Sequence, residues 1–567
     1  MNSAASLRSI MLGLACFLLL LSWLLPNHFR PWVTAYQELF AGMALVLAGG
    51  VVLLCRDTRL PLASILIGCL AIIPALQLAA GILGFGGDAW ISASYILALA
   101  FAIFVGYNLQ LAGERRLGAV FAERIAWTLL LGAMVSAVMA VMQWLGFTNS
   151  FWVSSVQNPA RPFANLAQPN NLATLVGMGL MSLLYLFELR KIHRFPAVLL
   201  ALLLIFTLAL TQSRTPWLTA LFIGGFWFWQ RRQLESRLGS RHMLLWLLLY
   251  MAMIVSVPLL TQYLGISSGS LMDRVQQAAR LGMYSQFIHA LMEGPWYGYG
   301  WNQVFVAQAA VALQQVDHRP SFYTHNILLD LLIWNGPIIG GLIILATAIW
   351  FWRLLKESRS LTSTYAWLAL SCFLVHCMLE FPHAYLLLLM PAGLLLGILQ
   401  ASVATGGRAY ALPRVMTGAV LVIAASLTAV MWWDYRLIEA EYNAAVLEQN
   451  EEFVPKEQQD ISDVYTLTHM REYIYFIRAP LKAGYSELQL DEVLAITRRF
   501  PHFYFLLKSA YLLTINGCVD EAYELLLLME RLHRAPGLEQ ALAYFLEKSE
   551  EHPDLLNLLE RFDIKPK

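Results

Sequence analysis

Charge is what this chain has least of. Lys, Arg, Asp and Glu make up 13% of its 567 residues, and 59% are hydrophobic, whereas soluble domains carry about 25% charged residues. With a mean hydropathy of +0.59, the composition excludes a soluble domain for most of the length and predicts a polytopic membrane protein in a lipid bilayer. The charges nearly cancel, to a net +1. They are segregated rather than mixed, so the net value identifies no partner, and nucleic acid is not expected. Cysteine is sparse too. Cys16, Cys55, Cys69, Cys372 and Cys377 lie in or beside apolar runs, Cys518 lies near the C-terminus, and no Cys-x-x-Cys pair occurs. That argues against a disulfide framework and leaves a zinc site without ligands. The one glycine-rich run lacks the Gly-Lys-Ser/Thr ending of a P-loop. Scarce intramembrane charge and no visible inverted repeat argue against a transporter.

Long apolar runs are abundant. Segments of about 20 residues, enough to cross a bilayer, fall at 9–25, 36–55, 60–83, 90–112, 125–146, 171–189, 195–212, 215–230, 243–263, 326–352, 364–381, 384–401 and 415–433. The expected fold is all-α, with about 13 transmembrane helices in residues 1–433. The run after Arg8 has no small-x-small cleavage site behind it and reads as a retained first span. Alternate loops carry the basic residues: Arg56 and Arg59; Arg115, Arg116 and Arg124; Arg190, Lys191 and Arg194; Arg231, Arg232, Arg237 and Arg241; Arg353, Lys356 and Arg359; Arg408 and Arg414. The positive-inside rule puts these loops and the N-terminus in the cytoplasm. Residues 147–170, 213–214, the long loop 264–325, 382–383 and the tail 434–567 are then expected outside it. The tail turns rich in Glu, Leu, Arg and Tyr at helical spacing. Pro501 to His533 reads as a helix–turn–helix unit similar to a tetratricopeptide repeat, with its turn at Asn516-Gly517.

On the outer side, Arg161, Arg214, Arg274 and Arg280 have no topological reason to be there. Gln212-Ser-Arg-Thr-Pro216 interrupts two apolar runs with almost no loop. Arg214 there can snorkel to the interface, or it can form a buried anion site, which is the reading adopted. Guanidinium grips phosphate in a bidentate way, so Arg214 and Arg280 suit one pyrophosphate. Asp273 and Arg274, on the same expected amphipathic helix at 271–292, can pair with other charges. In Asn165-Leu-Ala-Gln-Pro-Asn-Asn171, Asn170 is an N-cap candidate, which leaves Gln168 and Arg161 unexplained. The Gly-Pro-Trp-Tyr-Gly-Tyr-Gly run at 294–300 suits sugar stacking or interfacial anchoring, with anchoring favoured. Tyr323-Thr-His-Asn326 opens a span. His325 is either a helix cap or a group that takes a proton near neutral pH. His376 and Glu380, before Phe381-Pro-His-Ala-Tyr385, either orient a substrate or pair with each other.

Ser213-Arg214 opening one span, Arg280 before the glycine run, and His325-Asn326 opening another together resemble the O-antigen ligase/polymerase superfamily, over roughly residues 150–400. The Gln168-Pro-Asn170 and Glu380-Phe-Pro382 segments and the helical tail are similar to one branch, the bacterial protein O-oligosaccharyltransferases, which includes pilin-glycosylating enzymes. The resemblance implies a GT-C-like membrane fold in the inner membrane and an undecaprenyl-pyrophosphate-linked oligosaccharide as donor. It implies an exported protein such as pilin as acceptor, with neither metal nor other cofactor. It matches the family's essential histidine to His325 and its phosphate-binding arginines to Arg214 and Arg280. Gln168, Asn170, Arg161, Tyr323 and Tyr385 complete the expected substrate-binding set. At Asn171 many relatives carry histidine, so this position departs from the pattern. Ligation to lipid A–core or polymerisation of the glycan is the alternative chemistry.

Overall fold

The computed structural model describes residues 3–55, 57–114, 118–147, 151–155, 159–230, 236–266, 272–314, 320–403, 408–449, 460–533 and 535–564. Helix is found in each of the thirteen apolar runs. Nine helical stretches among the described residues are long and apolar enough to cross a membrane, so the protein is a polytopic helical membrane protein. The count of 13 is not reproduced at that length: Arg194–Leu210, Leu361–Cys377 and Leu386–Ala401 are apolar but shorter. The expected run 60–83 is two helices, Leu62–Leu70 and Ile72–Ala79. One departure from all-α is a two-stranded ribbon, with Arg59–Pro61 antiparallel to Ala409–Ala411.

The chain divides into two compact units. The first holds residues 1–72, 93–270 and 347–433. Its centre is the helix Pro169–Glu188, 78% buried over its span, whereas the span that begins at Arg414 is 6% buried. Between helices in lipid there is little hydrophobic gain, so close approach of small residues does the packing. A Cβ at Gly179 would stand 2.2 Å from the Ala133 Cβ, and one at Gly106 would stand 2.4 Å from the Leu394 carbonyl oxygen. These contacts seat Pro169–Glu188 on Gly118–Trp144, and Gly86–Glu114 on Leu386–Ala401.

The second unit holds residues 73–92, 271–346 and 434–567. The helix Arg414–Gln449 runs unbroken past Trp433 into it. Asp434 accepts the Tyr465 and Thr466 amides and the Thr466 hydroxyl. Arg478 forks onto Glu441 and Glu448 at 2.6–3.0 Å. Six helices follow, from Thr468–Arg478 to Leu555–Glu560. Ser486 and Gln489 form a capping box that starts Glu487–Arg499, and Leu490, Val493 and Ile496 bury its apolar stripe. Phe503–Ile515 and Val519–His533 form the expected helix–turn–helix, turning at Gly517 with φ 87°.

Candidate active site

In the first unit, two buried amides fold the segment before Pro169. The Gln143 side chain donates to the carbonyls of Ser154 and Ala164 and accepts the amides of Phe163 and Ala164. Asn165 donates to the carbonyls of Leu24 and Trp152 and accepts the Ser154 amide. Both are fully buried, so an unmade bond would cost about 1–3 kcal/mol each. The result is a fixed loop that carries Arg161 and Gln168. Arg161 donates from Nε to the Thr211 carbonyl at 3.4 Å, and Gln212 donates to the Ala160 carbonyl at 3.0 Å. The Ser213 hydroxyl donates to Asn170 Oδ1 at 2.5 Å. Gln168 Nε2 reaches the Tyr385 hydroxyl at 3.4 Å. Four of the expected residues, Arg161, Gln168, Asn170 and Tyr385, therefore lie on one hydrogen-bonded segment, and Arg214 follows Ser213 in the chain without a bond of its side chain to them.

Two expectations need correction here. Asn170 is not the helix cap. The cap position is Gln168, whose side chain makes no capping bond, with Pro169 first in the helix, and the Asn170 amide is taken by Ser213. Nor is Arg214 in a buried anion site. Its neighbours Ser213 and Thr215 are buried, but Arg214 itself is exposed, just past the left-handed turn at Gln212 (φ 48°). Asn171 is 1% exposed and donates to the Leu166 carbonyl. His376 Nδ1 lies 2.7 Å from the Thr174 hydroxyl. Immediately after Arg214, Thr215 and Pro216 begin the lining of a narrow apolar groove of about 90 Å³, completed by Thr174, Ile205, Trp246 and Tyr250 among others.

In the second unit, His325 sits at φ 60°, a left-handed backbone that costs a non-glycine residue about 1–3 kcal/mol. It is half-buried. The turn is held by its neighbours. The Thr324 amide donates to Asp330 Oδ1 at 2.7 Å, and the Thr324 hydroxyl donates to the Asn326 carbonyl at 2.9 Å. Asn326 Oδ1 accepts the Leu328 and Leu329 amides and caps the helix. Asp330, fully buried, lies within electrostatic range of the imidazole. Sequence reading missed Asp330; its signal is a carboxylate inside an otherwise apolar span, one turn past Asn326. Tyr323 stacks edge-on to Trp334, ring centroids 6.4 Å apart. Arg280 is on the helix Met272–Glu293, but its side chain, like those of Asp273 and Arg274, lies outside the described residues.

The glycine run has a structural reason. Gly336 breaks the helix Ile327–Glu357 with φ 73° and ψ 169°. The Tyr299 and Gly300 amides donate to the Ile333 and Trp334 carbonyls. Gly298 and Gly336 meet backbone to backbone: a Cβ on Gly336 would lie 1.8 Å from the Trp296 oxygen. Trp296 and Tyr297 stay exposed, as anchoring or stacking aromatics require.

Left-handed non-glycine residues gather at these segments. Ala164, Ala167, Gln212 and His325 are four of the seven among the described residues, a concentration typical of functional sites. In the first unit Arg161, Gln168, Asn170 and Tyr385 gather hydrogen-bonding groups on one segment, and in the second His325 stands half-buried on a held turn.

Comparison with known proteins agrees in region as well as kind. Residues 198–345 match the family model described as O-Antigen ligase, and residues 162–187 match Protein glycosylation ligase. Residues 364–541 match the C-terminal model of Virulence factor membrane-bound polymerase. A General O-oligosaccharyltransferase of Acinetobacter baylyi is 30% identical, over 96% of this chain and 97% of its own. A ComP-specific O-oligosaccharyltransferase of the same organism is 28% identical, over 57% of this chain and 59% of its own. With identity sustained over nearly the whole of both chains, this protein belongs to the bacterial protein O-oligosaccharyltransferases of the O-antigen ligase superfamily and is a multi-pass membrane oligosaccharyltransferase.

Proposed function

We propose that the enzyme transfers a glycan en bloc from undecaprenyl pyrophosphate to a Ser or Thr hydroxyl of an exported protein, pilin being the expected acceptor. The site then faces the periplasm from the inner membrane. The observation that carries the reading is the His325 turn: an imidazole held at a strained, half-exposed position, the turn fixed by the buried Asp330 carboxylate, which accepts the amide of the adjacent Thr324. In the reaction the acceptor oxygen attacks the anomeric carbon, and a bond forms there. The bond from that carbon to the phosphate oxygen breaks, its electron pair leaves with the polyprenyl pyrophosphate, and the hydroxyl proton goes to His325. Arg214 and Arg280 balance the charge on the departing pyrophosphate, the largest contribution expected in such a reaction. Arg161, Gln168, Asn170, Tyr323 and Tyr385 bind substrate. The apolar groove that starts at Thr215 suits the first units of the isoprenoid chain. The O-Antigen ligase match favours a second reading, ligation to lipid A–core. The helical tail and the near-full-length similarity to a General O-oligosaccharyltransferase favour a protein acceptor.

The test is glycosylation of exported protein in a reconstituted host, with His325 varied. His325→Ala and His325→Gln should both lose transfer by about 10²–10⁴ in rate, the usual cost of a lost general base, while expression stays normal. A near-wild-type single-turnover rate for His325→Gln would leave His325 a positioning role only.

A further inference from the structure

Tyr385 meets Gln168 through its hydroxyl. It also stands at the cap of the helix Leu386–Ala401, where its own side chain makes no capping bond. A helix leaves its first amides without partners inside the helix. Here one is taken from another helix. The Leu386 amide, in the peptide bond that joins Tyr385 to Leu386, donates to Glu38 Oε2 at 2.6 Å. At the next residue the Trp23 indole donates to the Leu387 carbonyl at 2.8 Å. Trp23 is fully buried and Glu38 is 6% exposed. Glu38 is the single charged residue of the span Ala35–Leu53, and a carboxylate in a membrane segment is expensive enough to call for a use.

Trp23 and Glu38 belong to one hairpin, the helices Ser3–Leu24 and Ala35–Leu53. Gln37, fully buried, closes it by donating to the Leu25 and Asn27 carbonyls at 3.1 and 2.7 Å. The same hairpin holds the loop that carries Gln168. Asn165 donates to the Leu24 carbonyl at 2.7 Å, His28 Nε2 lies 3.1 Å from the Asn165 carbonyl oxygen, and the Ser154 hydroxyl donates to the Pro26 carbonyl at 3.2 Å. Both partners of the Gln168–Tyr385 contact are therefore held from residues 23–38. Asn170, two residues past Gln168, binds Ser213 beside Arg214, the proposed pyrophosphate contact, which puts this corner on the donor's side.

We propose that Glu38 is a positioning residue of the donor site: by accepting the Leu386 amide it fixes the Tyr385 hydroxyl at Gln168, and the N-terminal hairpin is the brace behind both. This rests on the reading of Gln168 and Tyr385 as substrate-binding residues. It gives the first two helices, which carry none of the residues assigned to the reaction, a part in it.

The experiment uses full-length enzyme in nanodiscs. The donor is a synthetic undecaprenyl-pyrophosphate-linked disaccharide, and the acceptor is the exported host protein that wild-type enzyme labels. Glu38→Met keeps the bulk and removes the oxygen that accepts the amide. Donor KM should rise about 10-fold, the worth of one hydrogen bond to a bound ligand, with kcat nearly unchanged. Glu38→Gln keeps an oxygen for the Leu386 amide and should recover most of the loss. Trp23→Phe loosens the same corner from the first helix and should raise donor KM by a smaller factor. A ring-fluorinated tyrosine placed at Tyr385, observed by fluorine NMR without donor, should give one sharp signal in the natural background and a broadened or split one in Glu38→Met. A wild-type donor KM in both Glu38→Met and Trp23→Phe, a fall in kcat alone, or no recovery in Glu38→Gln would each overturn the brace. Tyr385→Phe separates the two ideas. If it leaves donor KM unchanged while Glu38→Met disturbs the fluorine signal, the substrate reading of Tyr385 fails and the hold of Glu38 on that corner stands. If it raises donor KM while Glu38→Met alters neither KM nor signal, the brace falls and the substrate reading stands.

Discussion

Ser213 and Arg214 are adjacent and have opposite fates: the serine is buried and bound to Asn170, the arginine exposed. An exposed guanidinium contributes little to folding, so a change there tests the proposed donor contact without unsettling the fold. Arg214→Lys keeps the charge and loses the planar fork. Donor KM should rise about 10-fold, the worth of one charge-assisted hydrogen bond, with unchanged membrane insertion. Titrating purified variant with donor at saturating acceptor checks this, and an unchanged KM would detach Arg214 from the pyrophosphate. At this scale the sequence exposed the oddities, because an arginine outside the cytoplasm or a histidine opening a span has no topological excuse. It marks Asp330 as a carboxylate in an apolar span, but that this carboxylate holds the Thr324 amide beside His325 is decided by packing.

Among elements, the kinked helix Ile327–Glu357 depends on two glycines facing each other. The kink falls at Gly336-Pro337, and the run 294–300 lies against it through main-chain hydrogen bonds. Gly336→Ala must put a Cβ into the Trp296 carbonyl and hold an L-residue at φ 73°, ψ 169°, a backbone region essentially reserved for glycine that alone costs about 1–3 kcal/mol. The variant should show a clearly lower thermal midpoint in detergent and lose transfer. Gly341 is the internal control: it lies in the same helix, and an added methyl there would meet nothing within 4 Å. Gly341→Ala should therefore stabilise by roughly 0.5–1 kcal/mol through backbone entropy. Equal midpoints for the two variants would refute the role given to the kink. From sequence, the run 294–300 reads as aromatics punctuated by glycine. The tertiary reason for the glycines, close approach to a helix break some 40 residues on, has no local signature.

For the molecule as a whole, folding confines titratable groups where water cannot reach them, and pH then acts on the entire second unit. His469 is 5% exposed, with its Nδ1 close to Gly87. Burial, with the Arg499 charge also opposing protonation and Asp88 favouring it, pushes the imidazole down from 6.5 to about 4. Between those values the unfolded chain binds a proton that the folded one refuses. Stability from this group is therefore complete above pH 6.5 and is lost as pH falls toward 4. The loss is on the order of 3 kcal/mol over the full window. Thermal midpoints at pH 7.5 and 5 should differ more for the natural chain than for His469→Gln, which cannot titrate. Identical acid sensitivity would assign the effect elsewhere.

Composition and hydrophobic period alone determined that this is a helical membrane protein and which runs are apolar and helical. Each follows from transfer free energy, which is local and additive along a chain. The residue types with unusual placement were equally legible, since an expensive charge or imidazole stands out against an apolar background. Tertiary structure alone decided that Asn170 binds Ser213 and does not cap a helix, that Arg214 is exposed, and that Asp330 is buried where it holds the Thr324 amide. It alone decided that Arg499 reaches Asp88 across 411 residues. Those facts depend on which carbonyls, carboxylates and rings arrive at one place after packing, and hydrogen-bond geometry is set by distances that sequence separation does not encode.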